Sequence, residues 1–299
     1  MTGLSRHAPS ASAGGTHLAC DLLDRPRVEA LLEALQPQVV IHAQALSDVD
    51  RCEREPQQAR ALNVDTTANL VDALERLRSR RSQGTPPLLI AMSSDYVFSG
   101  EKGAAYDEAD VPNPVSVYGR SKCEAEQAAL RYVRSIVVRT STLFGPGRMN
   151  FCDHIIERLQ SGQPVEAFID QVTSPTLTTD LAAAIVDLGL ALWDWQRSEP
   201  WPRVAHVTNA GSCSRVAFAQ RVAERIGGAP ELIRQIHRAD QRRDAPRPAY
   251  SALTTKHAPQ LIGRTLRSWE DALAAYLRQR GLIAAEPRPA PDPRAVPTR

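Results

Sequence analysis

Short, continuously apolar segments alternate with longer amphipathic segments along this chain. The apolar segments have the length and composition of buried strands, and they are Val39–His42, Leu88–Met92 and Ser135–Val138. The amphipathic segments carry apolar residues at helical spacing, and they are Val28–Leu35, Ala59–Arg80 and Ser121–Tyr132. Strands that are apolar on both faces and separated by helices favour a parallel, doubly wound α/β sheet covered on both sides.

The pattern changes after Gly145, which predicts a second, smaller α+β domain. The elements expected after Gly145 are helices over Asn150–Gln160, Leu181–Leu192, Ala217–Ile226 and Ser268–Arg280, and strands over Pro164–Ile169 and Arg203–Val207. We therefore expect one domain from residues 1–145 with about 178–202, and a substrate-binding domain from 146–177 with 203–285. The proline-rich tail over 286–299 has almost nothing apolar to bury, which predicts disorder.

Composition excludes several classes of function. A net charge of +2 over 299 residues gives no electrostatic footprint for nucleic acid or an acidic membrane surface. The five cysteines are scattered and never form C-x-x-C, which indicates reduced thiols and no zinc site. The sequence contains neither an apolar stretch of ~18–20 residues nor a signal peptide, so we expect a cytoplasmic protein with no membrane partner and no metal.

The chemistry is concentrated in the segment SVYGRSKCEAE. Tyr118 and Lys122 are four residues apart, so a helix would place both side chains on one face. An ammonium near a phenol favours the phenolate, so we expect Lys122 to lower the pKa of Tyr118. Ser94 follows a predicted strand and could hydrogen-bond the same substrate oxygen. Alone, Y-x-x-x-K is a weak signal, because such a pair occurs by chance on many helices.

The segments around this pair resemble one family. SSDYVFSG, then YDEADVPNP, then VYGRSK are similar to the extended short-chain dehydrogenase/reductases, and most of all to their dTDP-4-dehydrorhamnose reductase branch. The resemblance continues through VVRTSTLFGPGRMNF (Val137–Phe151), DQVTSPTLTTDLA (Asp170–Ala182) and RPAYSALTT (Arg247–Thr255). It covers the chain from about Leu18 to Gly281 and implies a Rossmann-like sheet that binds NADP(H), with NAD(H) as the alternative.

The resemblance also implies residue roles. The catalytic set would be Ser94, Tyr118 and Lys122, with Tyr118 and Lys122 also contacting the cofactor. The remaining cofactor-binding residues would be Arg6, Asp21, Leu22, Ala43, Gln44 and Asn63. The substrate-binding residues would be Asp95, Tyr96, Phe98, Asn150, Phe151 and Arg247, with Arg247 near the nucleotide diphosphate and Arg6 favouring the 2′-phosphate of NADP.

Three of these residues have a structural alternative. Asn63 would then bond a backbone loop, Arg247 would be a solvated surface charge, and Asp21 would be a cap.

One expected motif is missing from the sequence. The family begins with a strand and a G-x-x-G-x-x-G turn that cradles the cofactor pyrophosphate. Here the segment Met1–Arg6 resembles the end of the second strand instead, so the first strand and its helix are expected to be absent. Either the start codon is assigned too late, or the chain is a non-catalytic relative; the intact Ser94, Tyr118 and Lys122 favour the first explanation.

Three functions stay open at this point. The first is an NADP(H)-dependent reductase of a nucleotide-linked 4-keto-6-deoxy sugar, in which Tyr118 supplies the proton, with a nucleotide-sugar substrate and a homodimer as expected partners. The second is an NAD-dependent sugar-nucleotide epimerase. The third is a non-catalytic regulatory subunit like the reductase-like partner of methionine adenosyltransferase.

Overall fold

The structure is a computed structural model. It describes residues 1–6, 15–80, 84–195 and 200–284. The tail expected to be disordered, 286–299, lies outside the described residues.

The described residues form twelve strands and ten α-helices. The strands are β1 (Thr2–Ser5), β2 (Thr16–Ala19), β3 (Val39–His42), β4 (Leu88–Ser94), β5 (Ser135–Thr140), β6 (Leu143–Phe144), β7 (Val165–Phe168), β8 (Val172–Thr173), β9 (Thr176–Leu177), β10 (Val204–His206), β11 (Cys213–Ser214) and β12 (Ile233–Ile236). The helices are α1 (Arg25–Leu35), α2 (Val49–Arg54), α3 (Pro56–Arg60), α4 (Thr66–Arg80), α5 (Val117–Leu130), α6 (Phe151–Gln160), α7 (Thr178–Trp193), α8 (Arg215–Ile226), α9 (His257–Ile262) and α10 (Trp269–Gln279). A π-helical turn, Ala61–Asp65, joins α3 to α4.

The main sheet has four parallel strands in the order β10-β5-β4-β3. Strands β1 and β2 pair in parallel with each other in a separate two-stranded sheet. Within the described residues, no strand joins this pair to β3. The parallel α/β fold expected from the alternation of strands and helices is confirmed.

Alternate residues of the central strands pack on opposite sides of the sheet. Leu89 of β4 and Val137 of β5 lie in a core with α1 and α4. Their neighbours Leu88 and Ile136 lie in a second core with α7 and α9. These residues are fully buried because helices cover both faces of the sheet, which explains why the strands are apolar without alternation.

The expected domain boundary at residue 203 differs from the structure. Strand β10 pairs in parallel with β5, and Ala258 of α9 packs in the same core as α7. Strand β10 therefore belongs to the main sheet and α9 packs on one of its faces, although the sequence pattern assigned both segments to the substrate-binding domain. A strand of only three residues does not reveal from its sequence which sheet it joins, because its pairing partner lies far away in the chain.

A further core lies around β7 and β12, which pair in parallel. Helices α6, α8 and α10 pack against these strands, with Ile155, Phe218, Trp269 and Leu273 among the buried residues. This unit is a smaller layer of strands and helices beside the main sheet.

Both ends of α5 are fixed by polar contacts. At the N-terminus, the Ser116 hydroxyl accepts a hydrogen bond from the Gly119 amide, and the Glu53 carboxylate of α2 accepts one from the Val117 amide. Near the C-terminus, the Arg203 guanidinium donates to the carbonyls of Leu130 and Tyr132, which carry the partial negative charge of the helix end. The helix that carries Tyr118 and Lys122 is therefore fixed at both ends.

A close approach at Gly119 lets the first turn of α5 pack on the segment after β4. A Cβ at this position would overlap the Tyr96 carbonyl oxygen and press on Pro114. Glycine is thus required here by space, since its φ is not in the left-handed region.

Replacing Gly119 with alanine is expected to lower the free energy of unfolding by about 1–3 kcal/mol, because the backbone at Tyr96 must move. Gly189→Ala in α7 is the matched control. Its new Cβ would meet Val39 Cγ1 at 3.6 Å and Ile90 Cδ1 at 3.7 Å, which are ordinary contacts. The control should be neutral or up to ~1 kcal/mol more stable. Urea titration followed by circular dichroism measures both, and equal effects would contradict the steric explanation.

Candidate active site

The three expected catalytic residues meet at the carboxyl end of β4. Ser94 is the last residue of β4, and its hydroxyl is hydrogen-bonded to the Tyr118 phenol. The Lys122 ammonium donates a 2.7 Å hydrogen bond to the Met92 carbonyl of the same strand. Because Tyr118 and Lys122 both lie on α5, one helix face presents phenol and ammonium to the strand end.

Burial dominates the ionisation of the site. The pKa of Tyr118 is raised by burial, and its hydrogen bond with Ser94 opposes this only in part. The expectation that Lys122 lowers this pKa is therefore wrong for this structure, since the ammonium is directed at the Met92 carbonyl. Burial lowers the pKa of Lys122 to about 8, while the nearby Glu126 carboxylate raises it. At neutral pH, Tyr118 is a neutral phenol and Lys122 a cation.

A buried ion pair lies directly below this site. The Glu126 carboxylate receives two hydrogen bonds from Arg139 of β5, at 2.9 and 2.7 Å, and one from Ser93 of β4 at 2.5 Å. Both side chains of the pair are at most 6% exposed. Sequence reasoning missed this pair; its only signal is that Glu126 follows Lys122 at helical spacing on the face that meets the sheet.

Asp95 lies at the centre of a cluster of hydroxyl groups. Its carboxylate accepts hydrogen bonds from Ser94 (3.0 Å), Ser141 (2.9 Å) and Ser251 (2.5 Å), and burial raises its pKa. We expected Asp95 to contact the substrate. In the structure the residue is only 2% exposed, and its carboxylate is enclosed by these hydroxyls instead. Its direct effect is to orient the Ser94 hydroxyl.

The two aromatic residues after Asp95 have different surroundings. The Tyr96 ring is edge-on to the Tyr118 ring at 5.7 Å and lines a cleft of about 400 Å³. Phe98 is fully buried, stacked on Tyr106 at 4.1 Å and covered by the Arg139 guanidinium. Tyr96 is placed to meet a substrate, and the expectation that Phe98 faces one is not met because Phe98 fills a core.

The first group of expected cofactor residues follows β1 and β2. Arg6 is exposed just after β1. Asp21 follows β2, and its carboxylate accepts the Leu23 amide at 3.0 Å, which closes a local turn. Leu22 packs on the core formed by α1 and α4, and its carbonyl accepts a hydrogen bond from Asn69. The capping alternative for Asp21 is not met, because the N-cap of α1 is Asp24, whose carboxylate accepts from the Arg27 amide.

The second group follows β3. Ala43 is exposed and Gln44 is half-buried, and the side-chain Oε1 of Gln44 accepts a hydrogen bond from the Thr66 hydroxyl at 3.1 Å. Before them, His42 is buried against the Thr67 hydroxyl, and burial with the nearby Lys122 charge lowers its pKa to about 4. His42 is therefore a neutral imidazole in the wall next to Lys122.

Asn63 joins three parts of the site through its side chain. It accepts from the Leu46 amide at 2.7 Å, donates to the Leu46 carbonyl at 3.2 Å, and donates to Ser121 of α5 at 2.8 Å. It is 1% exposed and lies in the π-helical turn, a feature frequent at functional sites. The structural alternative for Asn63 matches these contacts, since the side chain holds the loop after β3 against α5.

Two expected substrate residues contribute differently to the cleft. Asn150 caps α6, accepting from the Cys152 and Asp153 amides. Phe151 lines the cleft, with the Arg215 guanidinium 4.6 Å above its ring.

Arg247, expected near a diphosphate, instead forms a bidentate ion pair with Asp50 of α2 at 2.9 and 2.7 Å. This fork–fork contact holds the pKa of Asp50 down at about 2. Arg247 therefore connects the segment after β12 to α2 beside the main sheet.

Two other kinds of site are absent from the described part of the chain. No group of three or more His, Cys, Asp or Glu side chains there is arranged to hold a metal ion. None of the helices within residues 1–6, 15–80, 84–195 and 200–284 is both long and apolar enough to cross a membrane.

Comparisons with known proteins agree on one family. A family model described as the RmlD substrate binding domain matches residues 2–281. The chain is 33% identical over 284 residues to a dTDP-4-dehydrorhamnose reductase of Mycolicibacterium smegmatis, covering 91% of this chain and 81% of that protein. It is 32% identical over 261 residues to the spore coat polysaccharide biosynthesis protein SpsK of Bacillus subtilis, covering 87% and 86%.

A solved structure shares this fold. The dTDP-4-dehydrorhamnose reductase of Bacillus anthracis, crystallised in complex with NADP, superposes with a TM-score of 0.78 at 26% identity. The match covers 88% of this chain and 89% of that one.

Replacing Asn63 with alanine is expected to lower the free energy of unfolding by about 1–3 kcal/mol, because the Leu46 amide and carbonyl lose a buried partner. Asn69→Ala is the matched control on α4, since Asn69 is half-buried and makes one described hydrogen bond, to the Leu22 carbonyl. Its loss should be smaller, at about 0.5–1.5 kcal/mol. Urea denaturation of both variants tests this, and a control as destabilised as Asn63→Ala would refute the assignment.

Proposed function

Because the chain belongs to the RmlD substrate binding domain family, we propose that it is an NADP(H)-dependent reductase of a nucleotide-linked 4-keto-6-deoxy sugar. The observation that carries the proposal is the meeting of Ser94, Tyr118 and Lys122 at the end of β4. Reductases of this kind among the relatives, and the NADP complex of a structural neighbour, support the same chemistry.

The chain's own residues supply the acid half of the reaction. Reduction of a ketone adds a hydride to carbon and a proton to oxygen. Tyr118 is a neutral phenol at neutral pH because burial raises its pKa, so it holds the proton that the carbonyl oxygen needs. Ser94 is beside that phenol and donates to Asp95. When a ketone binds, the Ser94 hydroxyl would turn from Asp95 to donate to the carbonyl oxygen. The Lys122 cation stabilises negative charge that develops on the oxygen and on the phenol.

The residues near Lys122 fit the nicotinamide-ribose end of NADPH. When bound, NADPH supplies the hydride. Lys122 and Tyr118 would hold the ribose hydroxyls, and the exposed Ala43 with Gln44 would line the path away from them. The exposed Arg6 after β1 would meet the 2′-phosphate. The sequence has no glycine-rich turn for the pyrophosphate, so NADPH binding is the first property to measure.

A cytoplasmic location and a homodimer both stay predictions.

Tyr118→Phe removes the proton donor but keeps the ring beside Tyr96. We expect turnover of dTDP-4-dehydrorhamnose to fall by roughly 10²–10⁴-fold, while NADPH affinity measured by nicotinamide fluorescence stays within a few-fold. The assay also separates the alternatives, because a reductase consumes one NADPH for each sugar and an epimerase regenerates its cofactor. Normal turnover by Tyr118→Phe would rule the mechanism out, and absence of turnover by the wild type would favour a non-catalytic role.

The dependence of kcat on pH should have an alkaline limb near pH 8. Lys122 is charged below its pKa of about 8 and neutral above it, so activity that needs the cation falls as pH rises through this value. Glu126→Gln removes a carboxylate that raises this pKa, and it should move the limb to lower pH. Glu124→Gln is the matched control on the same helix, since Glu124 is exposed and pairs with Arg60. If Glu126→Gln leaves the pH of the alkaline limb unchanged, Lys122 is not the group whose titration causes it.

A further inference from the structure

Three buried polar atoms next to the ion pair of Glu126 and Arg139 have no hydrogen-bond partner among the described residues. They are Nη1 of Arg139, Nε2 of His206 and Oε2 of Glu108. Arg139 is 4% exposed and His206 is fully buried. A buried polar atom without a partner is strongly unfavourable, so we expect a group in this part of the fold that satisfies all three.

Arg139 and His206 lie side by side on one face of the main sheet. Strand β10 pairs with β5 so that His206 is directly opposite Arg139. Because side chains alternate along a strand, both point to the face where Val137 and Val204 pack, which α5 covers. The centre of the Phe98 ring lies 5.1 Å from Cζ of Arg139 and 5.9 Å from the centre of the His206 ring.

Glu108 brings its carboxylate to the same place from the segment between β4 and α5. Its Oε1 accepts hydrogen bonds from the backbone amides of His206 (3.2 Å), Lys256 (3.0 Å) and His257 (3.0 Å). Since Oε1 is bonded to the amide of His206 itself, Oε2 of the same carboxylate lies close to the His206 ring. No hydrogen bond joins Oε2 to Nε2.

The protonation state of each group determines which atoms donate and which accept. Burial lowers the pKa of His206 to about 4, an effect that the Glu108 carboxylate opposes and the Arg139 cation reinforces, so the ring is neutral at neutral pH. Its Nδ1 lies 3.0 Å from the Thr254 carbonyl, which only accepts, so Nδ1 carries the proton and Nε2 is an acceptor. Burial opposes the ionisation of Glu108, but bonds from backbone amides outweigh this effect and lower its pKa, so Oε2 is also an acceptor. Nη1 of Arg139 is a donor.

One water molecule matches this set of two acceptors and one donor. Its two O–H groups can donate to Nε2 of His206 and Oε2 of Glu108, and its oxygen can accept from Nη1 of Arg139. Buried waters typically make about three hydrogen bonds to polar groups that the protein leaves unpaired. An ion matches less well, because Glu108 and Glu126 would repel an anion and Arg139 would repel a cation.

We propose that Arg139, His206 and Glu108 bind one internal water molecule, which connects the segment after β4 to the ion pair that holds α5. The two bonds of Arg139 to Glu126 use Nε and Nη2, which leaves Nη1 for the water. The existence of this site does not depend on the identity of the substrate.

A crystal structure of the chain at a resolution that shows ordered waters tests the site directly. We expect one water within about 2.7–3.2 Å of all three atoms. Magnetic relaxation dispersion, which counts long-lived internal waters in solution, gives a second readout. His206→Phe removes Nε2 and fills the adjoining space with ring carbons, so the crystallographic water should be lost and the count should fall by one.

His257→Phe is the matched control. Nδ1 of His257 lies 2.9 Å from the Val204 carbonyl, so each variant loses one hydrogen bond between an imidazole and a carbonyl. Only His206→Phe removes an atom of the water site, and His257→Phe should keep the wild-type count. Loss of one water in both variants, or in neither, would overturn the proposal. A wild-type crystal structure in which the three atoms share no water would overturn it too.

Glu108→Gln keeps the site testable if His206→Phe does not fold. In this variant Oε1 still accepts the three backbone amides, and an NH2 group replaces Oε2. A water can accept from that NH2 and from Arg139 while it donates to His206, so the water should be retained. Loss of the water in Glu108→Gln would contradict the proposed hydrogen bonds.

Discussion

The position of α5, which carries Tyr118 and Lys122, depends on one buried carboxylate. Glu126 of α5 is bonded to Ser93 of β4 and, through two hydrogen bonds, to Arg139 of β5. A buried ion pair costs desolvation free energy, which good geometry and additional hydrogen bonds must offset. Here the bonds tie a helix to two neighbouring strands just below Lys122. The pair therefore fixes the helix rotation that places Tyr118 at the strand end, and its negative charge supports the cation of Lys122.

A second buried carboxylate, Asp95, fixes the residues that follow β4. Asp95 receives the hydroxyls of Ser94, Ser141 and Ser251, which come from three separate segments of the chain. Because the carboxylate is fully enclosed, each hydroxyl is held in one orientation, and Ser94 is positioned relative to the Tyr118 phenol. The motifs around these serines therefore act together, since all three contribute to the preorganisation of one hydroxyl group.

Local sequence patterns predicted several of the helices and strands. The contacts that individual side chains make depend on residues far away in the chain. The span of β3 was predicted to the residue, and the face of α5 that carries Tyr118 and Lys122 follows from helical spacing. Ser141 and Ser251 lie 46 and 156 residues from Asp95, so no local pattern reveals that they meet it. The pKa of Tyr118 was misjudged for a related reason, since burial by the whole fold outweighs a neighbour four residues away.

Arg247 lies in a segment that resembles the family, yet its guanidinium binds a carboxylate of this chain in the structure. Asp50 binds its guanidinium and the Ala245 amide, and Arg54 pairs with Asp244 next to them. Exposed ion pairs contribute little singly, but the Arg247 side chain is only 12% exposed and its pair is bidentate. With the pKa of Asp50 near 2, the pair stays ionised over the physiological pH range. The chain after β12 is thereby held to α2 beside the main sheet.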